Sequence, residues 1–164
     1  MSVKILDLGC SCNKIEGAIG LDADINSHAD IVCDLEKTLP IKANVFDKIY
    51  CKHLLEHLDD PRPLVKEMHR VSKAGAHIFI EVPHFSSHIA YSDLTHKRFF
   101  SFVMLDRLIN SIPHKTIRKE MTFYKTFSLC GIKLLANRFK EDYERFWTYI
   151  FPAENIKFEV EIKK

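Results

Sequence analysis

The chain has 164 residues, of which 24 are Lys or Arg and 22 are Asp or Glu, for a formal net charge of +2. That near-balance supplies no electrostatic footprint for nucleic acid or an anionic membrane, and 46% hydrophobic with 28% charged residues is ordinary for a globular domain. The length predicts one domain, residues 1–164, and the absence of any apolar run near the roughly 20 residues of a membrane span, or of a secretory h-region, predicts a cytoplasmic protein.

Val3 to Leu8 is an apolar run broken only by Lys4 and Asp7, which predicts a first buried strand. It stops at Gly9, and a glycine there lets the backbone come close to a ligand. A second short run, Ala18 to Leu21, is closed by Asp22, an acid placed to accept hydrogen bonds from a ribose. Ala29 to Cys33 predicts a third strand ended by Asp34, and Phe46 to Cys51 a fourth. Gly9 and Asp22 are 22 − 9 = 13 steps apart, whereas a βαβ unit takes roughly 30 residues. Loops or single turns are therefore expected where helices usually stand, and Asp34 to Phe46 is similarly compressed. Asp60-Pro61 then opens a helix with Leu64, Val65, Met68 and Val71 on its apolar stripe and Gly75 as its expected end, followed by a fifth strand from His77 to Val82.

The segment from Pro83 to Phe100 carries His84, His88 and His96 with Tyr91, Asp93 and Thr95 among them. It is expected to be an extended loop at the carboxyl end of the fifth strand, where open α/β sheets place ligands. A helix is predicted over Phe99–Ile112, with Phe102, Leu105, Leu108, Ile109 and Ile112 inward, and a strand over Thr116–Tyr124 with Ile117, Met121 and Phe123 on one face. Phe139, Tyr143, Phe146, Trp147 and Ile150 form a helical stripe expected to be core or interface. Ile156, Phe158, Val160 and Ile162 alternate strictly with charged residues, so the last strand has one packed and one wet face. Strands alternating with helical connections predict a parallel, doubly wound α/β sheet with right-handed crossovers. An exposed sheet face and an aromatic C-terminal helix leave a homodimer open.

Cys10, Cys12, Cys33, Cys51 and Cys130 are scattered and odd in number, which suits small buried apolar residues better than disulfides. Cys10-Ser11-Cys12 has no second cysteine pair at zinc spacing to answer it.

Asp7-Leu8-Gly9-Cys10 resembles the first motif of class I S-adenosylmethionine-dependent methyltransferases. Asp34-Leu35, Leu39-Pro40, Phe46-Asp47, Leu55-Glu56-His57-Leu58, Arg70-Val71-x-Lys73-x-Gly75 and an apolar strand ending in Pro83 follow in an order similar to the small-molecule-type ("methyltransferase type 11"-like) branch of that family. The resemblance covers roughly the first two thirds of the chain. It implies a Rossmann-like sheet of seven strands in the order 3-2-1-4-5-7-6, the seventh antiparallel, with S-adenosylmethionine as cofactor. Residues 1–83 would then form the cofactor-binding half and residues 84–164 the acceptor side.

On that resemblance Asp7, Gly9 and Cys10 would surround the methionine end of the cofactor, Asp22 would hold the ribose, and Asp34 with Leu35 the adenine. Cys51 and His53 would lie under the methionine part. Each has a plainer reading: Asp7 as a buried acid tying loops together, Asp22 and Asp34 as turn acids, His57 as a packing residue. The loop histidines allow three readings. They are solvated, or His84 or His96 is a general base oriented by Asp93, or His84, His88, His96 and Asp93 bind a metal. His84, Asp93 and His96 are taken as the catalytic candidates, with no metal ligand assigned. The expected activity is methyl transfer to a small-molecule acceptor. The alternatives are a non-catalytic nucleoside-binding module and a metal-binding regulator built on the histidine loop. No Asn/Asp-Pro-Pro-aromatic segment and no Pro-Cys nucleophile is present, so a nucleic-acid base is not the expected acceptor.

Overall fold

The structure, a computed structural model, describes residues 3–129 and 131–164; Cys130 lies outside the described residues. The short apolar runs of the first half each become a parallel strand: β1 (Ile5–Leu8), β2 (Ala18–Asp22), β3 (Ile31–Val32) and β4 (Phe46–Lys52). Among the described residues no helix separates any two of them. β1 pairs with β2 and β4, and β2 with β3, all in parallel.

After a single 3₁₀ turn at Leu55–His57, α1 (Pro61–Val71) begins where Asp60 accepts a hydrogen bond from the Arg62 amide at 3.0 Å. Leu64, Val65, Met68 and Val71 are fully buried, as their helical spacing requires. Gly75 does not end this helix. The chain turns at Ser72 straight into β5 (Ser72–Pro83), and Gly75, at φ 77°, sits in a bulge between the pairs Phe46↔Ser72 and Lys48↔His77. Its left-handed backbone serves the strand.

The second half departs further from expectation. The loop after β5 is not fully extended: it contains one helical turn, α2 (Ile89–Ser92). α3 spans Phe102–Ile109, inside the expected range, because the Ser101 hydroxyl caps it by accepting from the Met104 amide at 3.1 Å while Phe100 bridges to His84. β6 (His114–Phe123) buries Met121 and Phe123 but leaves Ile117 exposed. Ile117 is the extra residue of a bulge between the pairs Thr116↔Val160 and Arg118↔Glu159, which breaks the alternation a regular strand would keep. α4 (Lys125–Leu129), α5 (Ile132–Arg138), α6 (Lys140–Asp142) and a π-helical turn at Tyr143–Trp147 then lead to β7 (Ala153–Ile162). Of the aromatic stripe in this region only Tyr143 is buried; Phe139, Phe146, Trp147 and Ile150 are exposed, so the stripe is surface and not core.

The seven strands form one sheet in the order β3-β2-β1-β4-β5-β7-β6, with β7 antiparallel to both its neighbours. The core lies on one face, where Leu6, Ile49, Ile78 and Val160 meet α1 and α3. On the other face Tyr50 and Lys52 of β4, Phe79 and Glu81 of β5, and Lys157 and Glu159 of β7 line an open trough of about 240 Å³. Tyr50 stacks on Phe79 at 4.7 Å, and Lys157 pairs with Glu81 at 2.8 Å. This is the face on which right-handed crossover helices between β1, β2 and β3 would have lain. No helix of the described chain is long and apolar enough to cross a membrane.

Candidate functional site

Five parallel strands, β1 to β5, deliver their carboxyl ends to one edge, and the cofactor-binding candidates named from the sequence lie along it. Asp7 is 6% exposed and accepts from the Ile15 amide at 2.9 Å. Burial pushes its carboxyl above the usual range against that hydrogen bond. Gly9 has φ 68°, and a Cβ there would meet Leu54 at 3.1 Å, so the turn needs a glycine and brings bare backbone to the edge. Cys10 is buried behind it, its thiol pushed up by burial and by Asp22 and Asp7. The loop then folds back over β2: a Cβ on Gly20 would meet Lys14 at 2.6 Å and Cys10 at 2.8 Å, and Lys14 pairs with Asp30 at 2.8 Å.

Asp22, at the end of β2, accepts from the Ser11 amide at 2.8 Å through one oxygen and from the Asp24 amide at 2.9 Å through the other. Each oxygen keeps a second lone pair. Asp34, just past β3, accepts from the Glu36 amide and pairs with Lys37, both of which hold its carboxyl below the usual range. Leu35 is buried in the core, and so is Cys51, whose thiol burial holds far above its ordinary value. His53 leaves β4 with φ 50°, its Nδ1 3.3 Å from Glu56 Oε1; that hydrogen bond raises its pKa.

The three catalytic candidates separate. His84 is fully buried, and both ring nitrogens are taken: Nε2 lies 3.0 Å from Glu144 Oε1, and Nδ1 lies 2.8 Å from Ser86 Oγ. Glu144 also accepts from the Phe102 amide, so the pair pins the end of β5 to α3 and to the C-terminal helices. His88 contacts the Tyr124 hydroxyl at 2.6 Å. His84 and His88 therefore do not join His96 and Asp93 in a metal site. The Asp93 carboxylate does not orient the His96 ring either; only its backbone carbonyl accepts from the His96 amide, at 3.3 Å. The carboxylate accepts from the Thr95 hydroxyl at 2.7 Å, and Thr95 Oγ1 lies 2.8 Å from His57 Nδ1. His96 donates through Nδ1 to the Ala90 carbonyl at 2.8 Å and meets His57 edge to face, centroids 4.7 Å apart.

Two participants escaped the sequence reading. Glu56 is 1% exposed with its Oε2 unpartnered, and its carbonyl accepts the amides of Lys97 and Arg98, clamping the histidine loop to the exit of β4. An acid set among Leu54, Leu55 and Leu58 was the available signal. Glu144 had no comparable mark, because its partner is 60 residues away.

Against known proteins, a Methyltransferase domain model matches residues 13–80, starting just after the Asp7–Cys10 turn. A comparison with curated proteins found no match. Among solved structures, a SAM-dependent methyltransferase from Archaeoglobus fulgidus superposes with a TM-score of 0.73 at 19% identity, over 97% of this chain and 86% of that one. A SAM-dependent methyltransferase from Thermotoga maritima gives 0.67 at 16% identity, over 100% and 83%. A methyltransferase from Haloferax volcanii in complex with the Trm112 methyltransferase activator gives 0.64 at 14% identity, over 100% and 86%. The strand order, these superpositions and the match over residues 13–80 together place the chain in the class I S-adenosylmethionine-dependent methyltransferase fold.

Proposed function

We propose that this protein transfers a methyl group from S-adenosylmethionine to a small-molecule acceptor bound over the carboxyl ends of β4 and β5. The observation that carries the reading is the gathering of Asp7, Gly9, Asp22 and Asp34 at the carboxyl edge of β1–β3. The residues fit the cofactor. The left-handed Gly9 offers backbone with no Cβ in the way, and Asp22 keeps lone pairs for ribose hydroxyls after satisfying Ser11 and Asp24. Asp34, ionised and half exposed, suits an exocyclic amine, with the Leu35 backbone beside it. Gly9, Cys10 and His53 would border the methionine end. The Cys10 contact would be through its backbone, and the buried side chains of Asp7, Cys10 and Cys51 support that floor from within.

When bound, S-adenosylmethionine supplies an activated methyl group, so the chain's own task is to hold two reactants in line and exclude water. The loop 84–98, clamped to Glu56, is the wall on the acceptor side. Within it His96 is the catalytic candidate, because its bond to Ala90 leaves Nε2 free to take a proton from an attacking group. Asp93 acts at one remove, orienting His57 through Thr95. His84 we assign to positioning, since Glu144 and Ser86 occupy it.

The test is ligand-induced stabilisation. S-adenosylmethionine and S-adenosylhomocysteine should each stabilise the fold by about 2.7 kcal/mol at a hundred times the dissociation constant. Asp22→Ala should remove the response to both. No response in the unmutated protein overturns the methyl-transfer reading; an undiminished response in Asp22→Ala overturns the ribose assignment alone.

A further inference from the structure

Glu56, His57 and His96 each offer a ligand atom within 4.8 Å of the others, and among the described residues they are the group able to hold a metal ion. The surroundings of the three residues are those of a cation site. Glu56 is 1% exposed, and its Oε2 has no hydrogen-bond partner. A buried carboxylate oxygen left unpaired is costly and rare, and it asks for a cation. The neighbouring cations do not answer it. Lys97 pairs with Asp59 at 2.9 Å, and Arg98 donates to the carbonyls of Leu58 and Asp59. His53 engages only the other oxygen, Oε1.

Both histidines are also set in the form a metal needs. A carbonyl can only accept, so His96 Nδ1 carries the proton it gives to Ala90, and the lone pair lies on Nε2. The Thr95 hydroxyl gives its hydrogen to Asp93, so its oxygen accepts from His57 Nδ1, and the free lone pair of that ring is again on Nε2. No hydrogen bond among the described residues occupies either Nε2. A carboxylate that orients a ligating imidazole through its remote nitrogen is the outer shell metal sites use.

We infer that Glu56, His57 and His96 bind one divalent first-row transition-metal ion. Two imidazoles and one carboxylate suit zinc, iron(II), cobalt(II) or manganese(II), and three protein ligands leave coordination positions open. Tetrahedral ligands about 2.0–2.2 Å from one ion lie roughly 3.4 Å apart, so the three atoms, within 4.8 Å of one another, would draw inward by about 1 Å through rotation of the rings. The site borders the acceptor wall. With an ion in place His96 serves as a ligand, and the open positions would receive an oxygen or nitrogen of the acceptor and favour its deprotonated form. The binding claim itself does not depend on methyl transfer.

Tag-free, full-length protein stripped with chelator would be titrated with cobalt(II), followed by its visible absorption, and with zinc(II), followed by calorimetry. One ion per chain is expected. Glu56→Gln and His96→Ala should abolish saturable binding. Thr95→Val, which keeps all three ligands and lies on the surface, should weaken it about 10- to 100-fold. His114→Ala, at the start of β6, should bind as the unmutated chain does, and so should Asp22→Ala, which tests the cofactor separately. Absence of saturable one-to-one binding, or unchanged affinity in both His96→Ala and Thr95→Val, overturns the site. Should Glu56→Gln fail to fold, the Thr95→Val and His96→Ala titrations decide it.

Discussion

Asp7 is a carboxylate held where a neutral group would sit more comfortably. Its folded-state pKa is raised, so between its ordinary value of 3.8 and that raised value the folded chain holds more protons than the unfolded one. Stability therefore falls as pH climbs through that window, and the penalty stays fully present above it. Asp7→Asn keeps an oxygen for the Ile15 amide and removes the charge. The variant should melt higher than the parent at pH 7, with the gap closing as pH falls toward 3.8, in thermal scans across that range. Equal melting temperatures at pH 7 would mean that the carboxylate is better solvated than its 6% exposure implies.

Elements show where sequence reading succeeds and where it runs out. Strands β1 to β5 and α1 were legible because each answers to a local rule: an apolar run, a cap, a stripe at helical spacing. The strict alternation of Ile156, Phe158, Val160 and Ile162 was legible for the same reason. The misplaced features depend on partners distant in the chain. The bulge that expels Ile117 exists only against β7, and the bulge that employs Gly75 only against β4. The site divides in the same way. The acids and glycine at the carboxyl edge of β1–β3 are single residues ending single strands, whereas the relay from Asp93 through Thr95 to His57 spans 38 residues between its last two members. The start of α3 is a local feature and can be tested as one. Ser101→Ala removes the acceptor for the Met104 amide and should cost about 1 kcal/mol in chemical denaturation, leaving S-adenosylhomocysteine binding intact.

For the molecule as a whole, the sheet carries its core on one face and leaves much of the other to water, so the packed side holds most of the stability. Phe158, 2% exposed and 5.3 Å from the ring of Phe102, lies where β7 meets α3. Phe158→Ala should cost about 3–5 kcal/mol, enough to unfold a marginal domain, and the measurement is equilibrium urea unfolding. A loss below about 1 kcal/mol would show that the single-sided core is not what sustains the sheet.

β7 is made after β6, yet it lies between β5 and β6. While a nascent chain is still emerging from the ribosome, β6 already exists but has no edge to dock on, because its pairing partner has not left the exit tunnel. β6 must therefore wait for β7 before it can join the sheet. β7 joins β5 and carries β6 into the sheet with it, so a translation pause or nick just ahead of Ala153 would strand β6 with its backbone groups unpaired.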